Sequence, residues 1–372
     1  MNIISTVTSQ SEYKQRARDL SQGIYIYGAG DLGLLAIEYC ECCKIKIIGM
    51  IDSHRTGAIR SSSGNEYLIF SPTDVPLHDR PNRIVAVAVA TAPFSPIADT
   101  LINSGWRNVV PFYSLTSEKR SGHPLSSGWL IGEISSEERN SVLWINNNWG
   151  DQTSLYHYEA FLAWHNDYSE SPLEESPIIV NERYAIKPLI DYLSTNRNQF
   201  VDVGSHDGGA IRRLNQAGIH FSEYVLIEPD SISRDLLSIE AKKLCEHGCK
   251  VTIIDSLVGE RCELKPFKEG LGYCSQIWDD STSYKLAVSV DELGLTPDFI
   301  KIHTEGSELM VLKGAQNTIQ KIRPALAFSI YHSRNGFCHD IFEAMKMFNG
   351  YRWYFRLHSY QGTGAFIYGI PE

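Results

Sequence analysis

Apolar residues fall in short runs broken by glycine-rich connections, and the runs alternate with segments whose apolar positions recur every three to four residues. The short runs read as strands and the periodic segments as helices. The pattern predicts a strand at 23–28, a helix at 31–43 and a strand at 45–51. Residues 83–90, RIVAVAVA, are a continuous β-branched and alanine run, as a strand buried on both faces requires. SSSGNEY and SPTDVPLHDRPN, which precede it, read as loops. SPIADTLINSGW is a helix with a glycine stop, and NVVPFY is the next strand. Alternation of this kind predicts a small doubly wound parallel-sheet domain over residues 1–118.

Residues 116–132 are rich in Ser, Gly and Pro and read as a linker. A helical region follows, so that 119–180 is expected to be linker and helices. SSEERNSVLWINNNWG carries a capping box, read as Ser136 followed by Glu138 and Arg139. TSLYHYEAFLAWHNDY and ERYAIKPLIDYLS are the next two helices. From residue 200 the α/β alternation restarts. FVDVG, YVLIEP, VTIIDSLVGE, DFIKIHTEG and PALAFSIYH read as five strands with helices between them, and 261–290 as a less regular stretch compatible with an inserted hairpin. YRWYFRLHSY and AFIYGIPE alternate as strands joined by the turn signal QGTG. The expectation for 181–372 is a second α/β domain with a seven-stranded mixed sheet.

Composition narrows the function classes. The formal charge of −10 lies beyond residue 120, where 22 Lys and Arg face 33 Asp and Glu. An acidic half of this kind argues against a nucleic-acid partner. No apolar run is long enough for a membrane span, and the N-terminus lacks the pattern of a signal peptide. Eight cysteines in 372 residues are no disulfide framework. Cys40-x-x-Cys43 and the group Cys245, His247 and Cys249 read as reduced thiols rather than metal half-sites, which fits a cytoplasmic setting.

Two strand-to-glycine junctions carry candidate chemistry. In FVDVGSHDGG, Gly204, Gly208 and Gly209 let the backbone turn sharply beside a ligand. Asp202, Ser205 and Asp207 belong to the same junction; the structural reading of Asp207 is a turn residue bonded to its own backbone. Glu228 ends the next strand in YVLIEPD, where a carboxylate accepts hydrogen bonds from both hydroxyls of a ribose. In IYIYGAGDLG, Gly28-x-Gly30-x-x-Gly33 follows a strand and opens a helix, and Asp52 ends the following strand, which is the dinucleotide fingerprint in its proper context.

Residues from about 180 to 372 resemble the FkbM family of S-adenosylmethionine-dependent methyltransferases. VDVGSHDGG resembles the family's first motif and IEPD its second, and GYCSQI and VSVDEL match the segment before strand four. PDFIKIHTEGSELMVLKGA resembles the distinctive stretch usually written IKIDVEGAE; SIYHSRNGF and the C-terminal hairpin also fit. The resemblance implies a class I methyltransferase fold with S-adenosylmethionine as cofactor, and methyl transfer to a hydroxyl of a sugar, glycan, nucleotide sugar or glycosylated metabolite. One departure stands out: the family usually has Asp where this chain has His303.

A hydroxyl acceptor gains from a base at the strand ends, where open α/β sheets bind ligands. His303 and Glu305 end strand four and His332 ends strand five, and these three are the catalytic candidates. Asp255 and Ser256, at the end of strand three, join the cofactor candidates. No metal site is expected; a divalent cation on Asp255, His303 or Glu305 is the alternative. Glu305 and Glu308 equally suit charge complementarity at a helix start. Arg183 and Tyr184 resemble a pair that precedes strand one in relatives. The aromatic tail (Tyr351, Trp353, Tyr354, Phe355, Tyr360) reads as core. The N-terminal domain resembles the nucleotide-sugar-binding domain of sugar O-acyltransferases, with NAD binding, or an empty scaffold serving a homodimer, as alternatives. Two further functions stay open: an NAD-linked or nucleotide-sugar enzyme centred on that domain, and a non-catalytic binding protein with a degenerate methyltransferase domain.

Overall fold

Eight-residue runs such as RIVAVAVA can be buried only where a sheet is covered on both faces, and the computed structural model places the strand at its centre, Ile84–Val87, fully buried. It describes residues 20–118, 123, 125, 127–171, 173–195 and 197–372. The reading of the N-terminus as lacking a signal peptide lies outside these residues, as does part of the 116–132 linker. The chain divides into two compact units. One holds residues up to Ile134 with Glu159–Glu174 and Ser359–Thr363; the other holds Ser135–Tyr158, Glu175–His358 and Gly364–Glu372.

In the first unit β1 (Ile24–Tyr27) lies between β2 (Ile47–Ile51) and β5 (Ile84–Val87), with β6 (Asn108–Pro111) beyond β5, all parallel. Helices α1 (Asp31–Cys42), α2 (Phe94–Asn103) and α3 (Phe112–Glu118) connect or follow them. The sheet has six strands in the order β3-β4-β2-β1-β5-β6. The two extra strands, β3 (Gly57–Arg60) and β4 (Glu66–Phe70), form an antiparallel hairpin where loops were expected, so the sheet is mixed rather than wholly parallel. Their side chains are largely exposed, and an edge hairpin without an apolar face leaves no alternation to read. Tyr25 meets Trp106 edge to face at 5.4 Å in the core, which also takes in Trp164 and Tyr168.

The second unit contains the helix α4 (Ser136–Asn146), the start of α5 (Gln152–Asp167) and α6 (Lys187–Leu193). The capping box of α4 is set one residue earlier than the sequence reading placed it: the Ser135 side chain accepts from the Glu138 N–H at 3.2 Å, and the Glu138 carboxylate accepts from the Ser135 N–H at 2.8 Å. The S-x-x-E spacing begins at Ser135. The helix expected over ERYAIKPLIDYLS starts only at Lys187, because Tyr184 adopts a left-handed φ of 68°.

The main sheet has seven strands in the order β16-β17-β15-β14-β7-β8-β9: β7 (Gln199–Val203), β8 (Glu223–Ile227), β9 (Lys250–Ile254), β14 (Phe299–Ile302), β15 (Ala325–Ser329), β16 (Tyr351–Leu357) and β17 (Ala365–Pro371). Five are parallel, and β17 runs antiparallel to both β15 and β16. Helices α7 (Gly209–Gln216), α8 (Ser231–Glu246), α9 (Glu308–Gly314), α10 (Gln316–Ile322) and α11 (His339–Met347) complete the layers. The single helix expected over 307–322 is broken after Gly314, whose position would bring a Cβ within 2.0 Å of the Gly259 carbonyl. The stretch 261–290 forms more than a hairpin: β10 (Leu257–Val258), β11 (Glu263–Lys268), β12 (Gln276–Ile277) and β13 (Tyr284–Val288) make a separate small sheet. The third predicted strand therefore ends at Ile254, and its last residues serve this insert.

Candidate functional site

Strand order reverses at β7: β8 and β9 lie on one side and β14 and β15 on the other. In open α/β sheets such a switch point opens a crevice at the carboxyl ends of the strands. A cleft of about 640 Å³, counting the part open to solvent, lies there. Gly204, Glu228, Ser256, His303 and Glu305 all line it.

Gly204 is needed on two grounds. Its φ is +76°, and a Cβ would stand 1.9 Å from the His303 carbonyl oxygen. The approach is close because the His303 N–H still donates to Val203 O at 2.9 Å, so β14 remains paired up to the loop. Beneath it the buried Asp202 and Lys301 form an ion pair at 2.8 Å, and Lys301 Nζ also donates to Gly204 O at 2.5 Å. Burial raises the Asp202 carboxyl while the Lys301 charge opposes it. Asp202 thus supports the loop from below. Ser205 is likewise turned inward, its Oγ donating to Asp202 O at 2.7 Å.

Glu228 is 6% exposed, and each carboxylate oxygen accepts one backbone N–H: His206 at 2.7 Å and Asp230 at 2.9 Å. Burial raises its pKa against those bonds. Each oxygen keeps a second lone pair. Asp207 accepts from the Gly209 N–H at 3.0 Å and pairs with Arg212 at 2.6 Å. His206 and Arg212 hold its carboxyl well below the usual range. Asp207 and Gly208, which is left-handed at φ 80°, shape the turn and do not line the cleft. Asp255 points away too, exposed and paired with Arg234 and Lys285, each at 2.7 Å. Ser256 Oγ donates to Leu257 O and Leu286 O.

The three catalytic candidates come together. His303 Nε2 lies 2.9 Å from His332 Nε2 and 3.4 Å from Glu305 Oε1. His332 Nδ1 is 3.0 Å from Glu305 Oε2, an ion-pair distance although out of line for a hydrogen bond. Glu305 adopts φ +53°, unusual for a residue with a side chain. Glu308 holds that turn: its carboxylate accepts the Thr304 and Gly306 N–H groups, both at 3.0 Å, and the Ser329 hydroxyl at 2.7 Å. Glu308 is therefore the structural carboxylate of the pair. Burial pushes His303 down toward the neutral form, with Glu305 opposing. Burial would raise Glu305, but the neighbouring histidines carry it below the usual carboxylate range. Burial also opposes charge on His332, and Glu305 outweighs it and raises that pKa.

Sequence reasoning missed Tyr331 and Asp230, and read Arg183 and Tyr184 only as a pair that precedes strand one in relatives. Tyr331 OH is 3.1 Å from His303 Nε2; its place next to His332 was the available signal. Arg183 stacks 4.7 Å over the Phe366 ring, and its guanidinium comes within 3.5 Å of His303 Nδ1, which Tyr184 OH also approaches at 3.4 Å. Asp230 caps α8 through the Ser233 N–H and also accepts the Gly270 N–H and the Ser275 hydroxyl, both at 2.7 Å. It ties the insert down, and Ser275, Gln276 and Ile277 thereby wall the cleft.

In the first unit the fingerprint forms as expected locally. A Cβ at Gly33 would meet Gly28 O at 1.9 Å, so α1 packs directly on the strand end. Gly30 is the N-cap of α1, with open space around it. Asp52 accepts the Ala29, His54 and Arg55 N–H groups at 2.8, 2.8 and 3.0 Å. Burial raises its pKa, but these bonds hold it below the usual range.

The fold of the second unit is an open α/β fold with a cleft at its strand ends beside a histidine–carboxylate cluster. Residues 284–357 match the family model of the Methyltransferase FkbM domain, and this domain makes the chain an S-adenosylmethionine-dependent methyltransferase. The chain is similar in fold to the crystal structure of Methyltransferase FkbM from Methylobacillus flagellatus KT, with 18% identity, coverage of 93% of this chain and 89% of that one, and a TM-score of 0.64. A precorrin-6y C5,15-methyltransferase from Geobacter metallireducens GS-15 aligns at 9% identity over 54% of this chain and 95% of that one; its TM-score of 0.30 is too low to bear on the fold. No curated protein matches. Among the described residues no helix is long and apolar enough to cross a membrane.

Proposed function

We propose that the second unit transfers a methyl group from S-adenosylmethionine to a hydroxyl of a sugar, glycan or nucleotide sugar. One observation carries the reading: a single cleft brings Glu228, at the end of β8, to the same space as His303 and Glu305, just past the end of β14, with the buried His332 in contact with both. The residues suit the cofactor. Glu228 has lone pairs for two ribose hydroxyls, Gly204 keeps the wall low, and Leu257, Val258 and Ile277 offer apolar surface for a base. When bound, S-adenosylmethionine supplies a methyl group already activated on a sulfonium. The chain has to align the acceptor and deal with its proton. The acceptor hydroxyl belongs beside His303 and Glu305, where its proton is drawn off as the oxygen becomes nucleophilic. Ser275, Gln276 and Thr304 provide the polar lining that a hydroxyl-rich acceptor requires.

For the first unit we propose a nucleotide, in the form of a nucleotide sugar, at the Gly28–Gly33 turn. The open face at Gly30 supports it. Calorimetric titration of the full chain with S-adenosylmethionine, S-adenosylhomocysteine and NAD(H) tests both, followed by a labelled-methyl screen against nucleotide sugars. One site for the S-adenosyl ligands, unaffected by Asp52→Ala, is expected. Binding of NAD(H) alone, lost in Asp52→Ala, would move the active centre to the first unit.

A further inference from the structure

Three polar side chains crowd a single nitrogen of His303. His332 Nε2, Tyr331 OH and Glu305 Oε1 stand 2.9, 3.1 and 3.4 Å from its Nε2. Two imidazole nitrogens facing each other can share at most one proton. A metal ion held by bonds of about 2.0–2.1 Å sets neighbouring ligand atoms about 3.0 Å apart at right angles and about 3.4 Å apart at the tetrahedral angle. The His303–His332 and His303–Glu305 separations match these two edges. All three ligand atoms lie within 4.8 Å of one another, the only such group among the described residues.

We propose that His303, Glu305 and His332 bind a first-row transition-metal dication whose open positions face the cleft. Two imidazoles and one carboxylate suit zinc, manganese or iron(II), whereas calcium and magnesium prefer an all-oxygen shell. The surroundings have the features that orient metal ligands. Glu305 Oε2 lies against His332 Nδ1 while its other oxygen faces the site, and Tyr184 OH is beside the second nitrogen of His303. The left-handed turn that aims Glu305 is fixed by Glu308. The Arg183 guanidinium close by opposes a further cation, so the ion needs an anionic oxygen to complete its shell. An acceptor hydroxyl that gives its proton to solvent on coordination is such an oxygen, because a bound dication lowers the pKa of a coordinated O–H. That role rests on the methyltransferase reading; the existence of the site does not.

The test uses tag-free full-length protein stripped with a chelator and checked for native circular dichroism. It is titrated with Zn²⁺ by chelator competition, with Mn²⁺ by electron paramagnetic resonance and with Co²⁺ by visible absorption. One equivalent is expected, with a nitrogen–oxygen cobalt spectrum. Binding should weaken at least about 100-fold in His303→Ala and His332→Ala, and about 10-fold or more in Glu305→Gln. No stoichiometric ion, a cobalt–thiolate band, or unchanged affinity in both histidine variants would overturn the site. Should the variants fail to fold, the wild-type stoichiometry and cobalt spectrum decide. S-adenosylhomocysteine is titrated into the same stripped protein. S-adenosylhomocysteine binding in a protein that takes up none of the three ions overturns the metal site and leaves the methyltransferase reading standing; ion uptake without S-adenosylhomocysteine binding does the reverse.

Discussion

Replacing Glu228 with alanine separates a cofactor carboxylate from a loop staple. The side chain is 6% exposed and accepts one backbone N–H on each oxygen. Hydrogen bonds to a charged group contribute about 1.5–3 kcal/mol each. Two ribose hydroxyls at the lower figure give about 3 kcal/mol, or roughly 100-fold in Kd at 1.4 kcal/mol per decade. The same change leaves the His206 and Asp230 N–H groups without their acceptor, so the melting temperature should fall as well. Glu228→Gln isolates the two effects. One amide oxygen still accepts, while the NH2 faces a backbone donor, so about a tenfold loss with a smaller change in melting temperature is expected. Calorimetry with S-adenosylhomocysteine measures the affinity, and circular dichroism the melting. A Kd within about threefold of wild type in a folded Glu228→Ala protein would refute the argument and reduce Glu228 to a structural role.

Two further outcomes follow from the geometry. His157 Nδ1 accepts the Leu357 N–H at 3.0 Å and its Nε2–H donates to Ser176 O at 2.9 Å, so the ring must be neutral. Burial lowers its pKa from 6.5 to about 4. The unfolded chain therefore takes up a proton that the folded one refuses: this stability is intact above pH 6.5 and is lost as pH falls from 6.5 toward 4. The full window is worth about 3 kcal/mol, 2.5 units at 1.36 kcal/mol each. Urea midpoints at pH 7 and pH 5 should differ less in His157→Gln than in wild type; equal slopes would contradict the assignment. Gly204→Ala should unfold the strand end, since both φ and the His303 carbonyl oppose a Cβ. An unchanged melting temperature would show that the loop relaxes freely.

The parts of the fold legible in the sequence are those buried on both faces. FVDV, YVLI, FIKI and ALAFS need no neighbour to be read as strands, because water is excluded from either side. The hairpin of β3 and β4 is exposed, so its residues carry polar choices that a loop would also accept. The helix break at Gly314 depends on Gly259, far away in sequence. The site shows the same division. Strand ends named Glu228, His303, Glu305 and His332 in advance. Whether a polar residue beside a strand end faces the cleft depends on its partners, and Asp207 and Asp255 find arginine or lysine partners outside it. The 2.9 Å approach of His303 and His332 comes from the parallel register of β14 and β15, in which Ile302 faces Phe328, and no local pattern encodes it.

That register also bears on why a histidine stands at 303. In the family motif that the sequence resembles, an aspartate occupies this position. Here Glu305 Oε1 is 3.4 Å from the ring, and an aspartate would add a second anion next to it. The histidine instead gives a two-nitrogen, one-oxygen set with Tyr184 and Arg183 packed around its outer nitrogen. A domain drifting out of use would be expected to lose the parts that cost stability: the buried Asp202–Lys301 pair, the left-handed Glu305 turn and the glycine pressed against His303 O. All three are intact. The substitution therefore fits a change in how the acceptor oxygen is held better than a loss of catalysis, and the ion titration distinguishes the two.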